Sequence, residues 1–157
     1  MALEIEHKFL LKNADWRSEV DYSVHYKQGY LSASPMSSVR VRMSEDQAWL
    51  NIKSATVGSS RQEYEYEIPK EDADQILNEL CHKPLVEKMR HFVNRGQHVW
   101  EIDEFLGENA GLIVAEIELL QIGESFEKPE WVGADVTQDL RYYNNNLGKN
   151  PYKNWNK

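Results

Sequence analysis

At 157 residues, with 41% hydrophobic and 28% charged side chains, the chain is most simply a single domain, 1–157, with a sizeable core. A net charge of −8 argues against nucleic acid as a partner, and no apolar run reaches the roughly eighteen residues of a membrane span. An N-terminus without an apolar signal sequence and a single cysteine, Cys81, favour a reducing cytoplasm as the location.

Alternating polar and apolar residues predict eight β-strands along the chain. They cover roughly 3–11, 22–32, 38–44, 48–54, 61–68, 85–93, 98–106 and 112–121. The clearest loops are 56–60 and 107–111, which are rich in glycine and small residues. Short connections between successive strands favour antiparallel pairing, so we predict an α+β fold that is dominated by an antiparallel sheet.

One helix is well defined by the sequence. Pro69 precedes several acidic residues, and an apolar stripe that includes Leu77 follows, which predicts a helix over 70–81. A weaker pattern predicts a second helix at 13–20. The segment from about 123 onwards is predicted to be helical in parts.

Most of the predicted strands carry charged residues on one face and apolar residues on the other. The charged positions form pairs of one sign: Arg40/Arg42 and Lys88/Arg90 are cationic, and Glu4/Glu6, Glu101/Asp103 and Glu116/Glu118 are anionic. Like charges two residues apart on a strand repel each other, so stability alone does not favour the pattern. It indicates a ligand between the charges, with cations holding a polyanion and carboxylates holding metal ions that bridge to it.

Two arrangements of these strands fit the pattern. An open sheet can turn its charged face to water. Alternatively, eight antiparallel strands can close into a barrel, with the apolar face outside under the helices and the charged face lining a tunnel. Burying so many charges without a ligand is costly, so the closed barrel indicates a functional site.

The charged residues also carry a resemblance to a known family. Glu4-x-Glu6-x-Lys8 resembles the E-x-E-x-K signature of the CYTH family, also called triphosphate tunnel metalloenzymes. The resemblance extends, in order, through Gln28-Gly29-Tyr30-Leu31, Val39-Arg40-Val41-Arg42, Ile52-Lys53-Ser54, Ser60-Arg61-Gln62-Glu63-Tyr64-Glu65, Val86-Glu87-Lys88-x-Arg90, Glu101-x-Asp103-x-Phe105, Glu116-x-Glu118 and Val136-Thr137-x-Asp139-x-Arg141-Tyr142. The compact length, together with the segments that begin at Gln28, Ser60 and Thr137, looks most like the short bacterial inorganic triphosphatases.

The resemblance implies an eight-stranded antiparallel closed β-barrel with helices packed outside, and a small-molecule triphosphate as substrate together with Mg2+ or Mn2+. We therefore expect hydrolysis of tripolyphosphate to pyrophosphate and phosphate by a monomer or homodimer. Class IV adenylate cyclase and nucleoside or thiamine triphosphatase are the alternative activities of such a tunnel. A polyphosphate-binding module without catalysis is the alternative that is not an enzyme.

The acidic residues of the tunnel are the predicted metal ligands, because carboxylate oxygens are the donors that Mg2+ prefers. The predicted ligands are Glu4, Glu6, Glu116, Glu118 and Asp103, and Glu63, Glu65 and Glu101 are further candidates.

The basic residues of the tunnel are predicted to bind the triphosphate, arginine as a planar fork and lysine as a point charge. They are Lys8, Arg40, Arg42, Lys53, Lys88 and Arg90. Crowding of cations lowers a lysine pKa, so Lys53 and Lys88 are catalytic candidates for activating water, and a metal ion is the other candidate. Tyr30 is predicted either to hydrogen-bond a phosphate or the attacking water, or to pack in the core.

Overall fold

The structure is a computed structural model, and it describes residues 3–34, 36–54 and 59–155. Its strands form one antiparallel sheet of nine strands across these residues. They are β1 (Leu3–Leu11), β2 (Tyr22–Ala33), β3 (Ser37–Met43), β4 (Ala48–Ser54), β5 (Ser60–Ile68), β6 (Val86–Arg95), β7 (His98–Phe105), β8 (Ile113–Leu119) and β9 (Val132–Asp135). The first eight match the predicted strands to within a residue or two.

The sheet closes on itself. Its strands follow the order β5-β4-β3-β2-β6-β7-β8-β1, and β5 pairs again with β1, where Arg61 lies opposite Glu4. Eight strands therefore form a ring in which every strand has two neighbours. This confirms the predicted closed antiparallel arrangement and excludes the open sheet.

The ninth strand was not predicted. β9 pairs with the end of β1, at Phe9 and Leu11, beyond the residues at which β5 pairs with that strand. Its four residues, Val-Gly-Ala-Asp, lack a clear alternation. A Cβ atom on Gly133 would lie 2.9 Å from the Leu10 carbonyl oxygen, so glycine permits this close pairing.

Apolar residues cover the outside of the ring, as the alternation predicts. Phe9, Trp100 and Ile117 form one core on β1, β7 and β8, and Trp16 and Trp131 pack over it. Trp16 belongs to a short 3-10 helix, Asp15–Glu19, which occupies the place of the helix predicted at 13–20. The outer face is thus sealed from water on this side.

The helix α1 (Lys70–Glu79) covers another part of the outer face. Its buried residues Ala73 and Leu77 pack against Val41 of β3 and Ala48 of β4. The prediction of a helix over 70–81 is confirmed, although the helix ends two residues earlier, at Glu79. Ile76 and Leu77 of the predicted apolar stripe meet the sheet, whereas Leu80, just after the helix, is exposed.

The C-terminal helix α2 (Asn144–Lys149) lies over one end of the ring rather than on its outer face. Its Leu147 packs against Val86, Phe105 and Val114, whose positions alternate in phase with the charged residues. These three side chains therefore point into the ring and close that end with apolar contacts. The tunnel has one closed end, which we call the inner end.

Two predicted loops differ in how far the structure describes them. The loop at 56–60 lies mostly outside the described residues. The loop at 107–111 contains a short 3-10 helix, Gly107–Asn109, before β8. None of the helices in the described part of the chain is long and apolar enough to cross a membrane.

Candidate active site

The interior of the ring is a charged cavity of about 140 Å3. Every described residue that lines it is charged except Asn144, which comes from α2. The lining residues are Glu4, Glu6, Lys8, Arg40, Arg42, Lys53, Glu63, Glu65, Arg90, Glu101, Glu116, Glu118 and Asn144. The alternation of β-strands therefore brings most of the predicted site residues to one place.

Three predicted site residues do not line this cavity. Lys88 and Asp103 are fully buried beside it, in the wall of the ring. Tyr30 lines a second cavity of about 420 Å3, together with Lys83 and residues of α2. Its hydroxyl nevertheless interacts with the guanidinium of Arg40, whose pKa it helps to raise although burial lowers it.

Lys8 is held between two carboxylates. Its Nζ atom lies 2.8 Å from Glu116 Oε2 and 3.1 Å from Glu6 Oε1, and all three side chains are buried. Burial lowers the pKa of Lys8, but Glu116 and Glu6 outweigh burial and raise that pKa above its ordinary value. Lys8 is therefore a permanent cation at the centre of the tunnel.

Arg90, Lys88 and Asp103 form a second buried cluster. Arg90 donates from Nε to Asp103 Oδ1 at 2.8 Å and from Nη2 to Oδ2 at 2.9 Å, and Lys88 Nζ lies 2.8 Å from Oδ2. Both Asp103 oxygens are thus engaged by cations, and the carboxylate stands in the wall rather than in the cavity. This geometry suits a residue that positions Arg90 and Lys88 better than one that binds a metal.

The two lysines predicted as catalytic candidates differ in their charge state. Burial, followed by the charge of Arg90, lowers the pKa of Lys88 to about 7. Lys53 also loses solvent, but Glu4 and Glu6 outweigh burial and raise its pKa, with Lys53 Nζ lying 3.0 Å from Glu4 Oε1. The expectation of a lowered pKa is wrong for Lys53, because carboxylates rather than cations are its nearest charged neighbours.

Aromatic rings hold the arginines of the cavity. The guanidinium of Arg42 lies 4.4 Å from the ring of Tyr26 and 5.1 Å from that of Trp49, and Arg90 lies 5.9 Å from Tyr26. Such contacts fix the plane of a guanidinium without using its hydrogen-bond donors. Tyr26 was not among the predicted site residues, although it stands four residues before Tyr30 on the same face of β2.

Two amide side chains of the site were also not predicted from the sequence. Asn51 donates to Glu63 Oε2 at 2.9 Å and to Glu65 Oε2 at 3.1 Å, so it holds both carboxylates against one wall. Its position, two residues before Lys53, was a signal that it faces the interior. Asn144 comes from an irregular C-terminal segment in which the sequence gives no comparable periodicity.

The remaining carboxylates crowd each other. Burial, together with Glu4 and Glu6, raises the pKa of Glu118 to about 7, and burial and Glu116 raise the pKa of Glu6. Among the described residues, no three acidic, histidine or cysteine side chains are already arranged to hold a metal ion. The donor chemistry fits a divalent cation, because hard carboxylate oxygens with raised pKa values gain most from a positive charge among them.

A closed antiparallel ring whose interior sets arginines and lysines against carboxylates defines a class of protein that binds a polyanion within a tunnel. The CYTH domain matches residues 2–149, and the chain therefore belongs to the CYTH domain family. This confirms the resemblance seen in the sequence.

Named relatives match over nearly the whole chain. An inorganic triphosphatase of Acetivibrio thermocellus is 48% identical over 155 residues, which is 99% of each chain. An inorganic triphosphatase of Nitrosomonas europaea is 35% identical over 152 residues, or 92% of this chain and 95% of the relative. The crystal structure of the inorganic triphosphatase NE1496 has a TM-score of 0.64 with 30% identity, and covers 92% of this chain and 97% of that one.

Proposed function

We propose that this protein hydrolyses inorganic tripolyphosphate to pyrophosphate and orthophosphate with the help of a divalent metal ion. The observation that carries the proposal is the cavity, in which Arg40, Arg42 and Arg90 face a wall of carboxylates inside a ring with one closed end. The names of the two relatives, which match across almost their full lengths, support the choice of substrate.

The basic residues contribute first of all to binding of the substrate. Arginine presents a planar fork that matches phosphate oxygens, and stacking holds the guanidinium of Arg42 without using its donors, of which Nε has no hydrogen-bond partner among the described residues. Lys8 and Lys53 add fixed positive charges, since carboxylates raise the pKa of both. A small cavity of this kind selects a compact polyanion over a bulky organic molecule.

Glu4, Glu6, Glu116 and Glu118 are the residues that would hold Mg2+ or Mn2+. The metal would neutralise charge on the phosphate oxygens as the phosphorus–oxygen bond breaks. Glu63, Glu65 and Glu101 also face the cavity and complete the acidic wall. We assign Asp103 to the positioning of Arg90 and Lys88, because both of its oxygens are already bound there.

The hydrolytic step is an in-line attack of water on a terminal phosphoryl group. The fixed charges of Arg40, Arg90 and Lys8 stabilise the negative charge that spreads over the phosphoryl oxygens. Lys88, whose pKa is about 7, is the described lysine best suited to accept the proton of the water near neutral pH. Lys53 remains a cation and binds phosphate instead.

The decisive experiment measures phosphate release from tripolyphosphate, ATP and thiamine triphosphate with Mg2+, with Mn2+ and with EDTA, and measures cyclic AMP from ATP in parallel. We expect metal-dependent turnover of tripolyphosphate with the highest kcat/KM. Preferential turnover of ATP or thiamine triphosphate, or formation of cyclic AMP, would identify one of the other tunnel activities. Tight binding of tripolyphosphate without any turnover would identify a binding module and contradict the proposal.

A further inference from the structure

Gln28 is a fully buried polar residue that the tunnel chemistry described so far does not use. It lies in the middle of β2, and neither its Nε2 nor its Oε1 atom has a hydrogen-bond partner among the described residues. An amide can donate two hydrogen bonds and accept two, and buried amides in folded proteins are normally paired. An unpaired one therefore requires an explanation.

The position of Gln28 supplies one. It stands opposite Arg42 of β3 and opposite Val86 of β6, and Val86 belongs to the apolar contacts that close the inner end. Tyr26, two residues earlier on the same face, stacks its ring against the guanidinium of Arg42. Gln28 therefore points into the ring at the boundary between the charged cavity and its closed end.

Other buried donors near Gln28 are also unpaired. The Nε atoms of Arg40 and Arg42, both on the neighbouring strand β3, have no hydrogen-bond partner among the residues that the structure describes. Together these side chains offer three unpaired donor atoms, Gln28 Nε2 and the two arginine Nε atoms, and one acceptor, the Oε1 atom of Gln28. An ionised phosphoryl group satisfies donors, but it cannot satisfy Oε1, because it has no hydrogen to give.

We propose that Gln28 holds the attacking water molecule at the inner end of the tunnel. Oε1 accepts a hydrogen bond from the water, Nε2 donates to an oxygen of the terminal phosphoryl group, and the Nε atoms of Arg40 and Arg42 donate to that same group. Water satisfies the acceptor that phosphate cannot. The inference rests on the proposed function, since it names the residue that places the nucleophile for that reaction.

The arrangement also sets the direction of the reaction. The water oxygen forms a new bond to the innermost phosphorus, and the bond from that phosphorus to its bridging oxygen breaks. Pyrophosphate leaves with the bonding electrons, towards the end of the cavity where Glu101 and Glu118 also line a surface pocket beside Leu120. One proton of the water remains on the new orthophosphate, and the other passes to Lys88 and from there to pyrophosphate or to solvent.

Replacing Gln28 with methionine, Q28M, keeps the length of the side chain and removes its hydrogen bonds. We expect kcat for tripolyphosphate to fall about 100-fold, the loss typical of removing one positioned polar group. The Kd of tripolyphosphate in EDTA, measured by calorimetry without turnover, should rise by no more than about tenfold, because one hydrogen bond to the phosphoryl group is lost while the arginines and lysines remain. The melting temperature should not fall, because an unpaired buried amide has been removed. Q62M is the matched control, since Gln62 lies exposed on β5.

A second variant, Q28E, keeps an acceptor but faces the phosphoryl group with a carboxylate. We expect it to weaken tripolyphosphate binding in EDTA at least tenfold, and it tests the position of Gln28 even if Q28M folds poorly. Wild-type-like binding by Q28E overturns the inference, as does a kcat for folded Q28M within tenfold of wild type. A loss of affinity as large as the loss of kcat, or a fall in melting temperature, in Q28M also overturns the inference, because it indicates a structural role. If the wild type is active and the variants give any of these contradicting results, only this inference is refuted. If the wild type shows no turnover, the proposed function is refuted as well.

Discussion

Lys8 and Glu116 stand opposite each other on neighbouring strands, with Lys8 Nζ 2.8 Å from Glu116 Oε2 in the centre of the tunnel. The next pair on the same two strands, away from the inner end, sets Glu6 opposite Glu118, two groups of like charge. One pair therefore stabilises the ring and the adjoining pair opposes it. Stability alone would not place these four residues together, and the second pair marks where a ligand cation is needed.

The Lys8 pair predicts a large effect on stability. In K8M, Glu6 and Glu116 lose their shared cation while they remain buried, and we expect the free energy of unfolding to fall by about 3–5 kcal/mol. Urea denaturation of the metal-free protein measures the change. The double variant K8M/E116Q should recover part of the stability and none of the activity. K12M, which alters an exposed lysine just after β1, is the control, and an equal loss in K12M would contradict the prediction.

The Glu6–Glu118 pair predicts stabilisation by metal. At a free Mg2+ or Mn2+ concentration 100 times its Kd, we expect the melting temperature of the wild type to rise by about 5–10 °C. E118Q should rise less and should lose at least about 100-fold in turnover of tripolyphosphate. E67Q is the matched control, since Glu67 is an exposed residue of β5 that does not line the cavity. A wild-type response in E118Q would show that Glu118 is not a metal ligand.

Much of this arrangement could be predicted from the sequence because strands repeat every two residues. Once Glu4 and Glu6 were placed on one face, the same rule placed Arg40, Glu116 and their neighbours, and ring closure brought all of them together. β9 was missed because its pairing depends on the close approach that Gly133 allows, which no local alternation reveals.

The charge state of a residue was harder to predict than its location. Lys53 and Lys88 have the same alternation, but one faces Glu4 and the other lies beside Arg90. Arg90 lies on the same strand as Lys88, two residues away, whereas Glu4 comes from a different strand than Lys53, and its distance from Lys53 depends on the shear of the ring. The position of Asn144 depends on how the C-terminal segment folds over the inner end, which is a matter of packing rather than periodicity.

The stacking of Arg42 on Tyr26 predicts an effect on substrate affinity. In Y26L the guanidinium of Arg42 loses the ring that lies 4.4 Å away, and we expect KM for tripolyphosphate to rise about 3- to 30-fold, the equivalent of about 0.5–2 kcal/mol. Because the arginine itself remains, kcat should change less than KM. Y26F keeps the ring and should behave like the wild type. A larger effect in kcat than in KM would mean that Tyr26 acts on the reacting atoms.

The low pKa of Lys88 predicts a pH dependence of the rate. Burial and Arg90 hold that pKa at about 7, so the side chain is protonated below this pH and becomes a neutral base above it. We expect kcat/KM for tripolyphosphate to rise with pH through an inflection near 7. K88R stays protonated throughout, and its rate should be about 100-fold lower without that inflection.

Comparison of the wild type with K88R distinguishes titration of the enzyme from titration of the substrate. Titration of tripolyphosphate itself contributes equally to both profiles, so only an inflection that K88R lacks belongs to Lys88. K88R also keeps a cation next to Asp103, which limits structural damage to the buried cluster. If K88R retains the inflection near pH 7, Lys88 is not the base, and its positive charge serves to hold the phosphate instead.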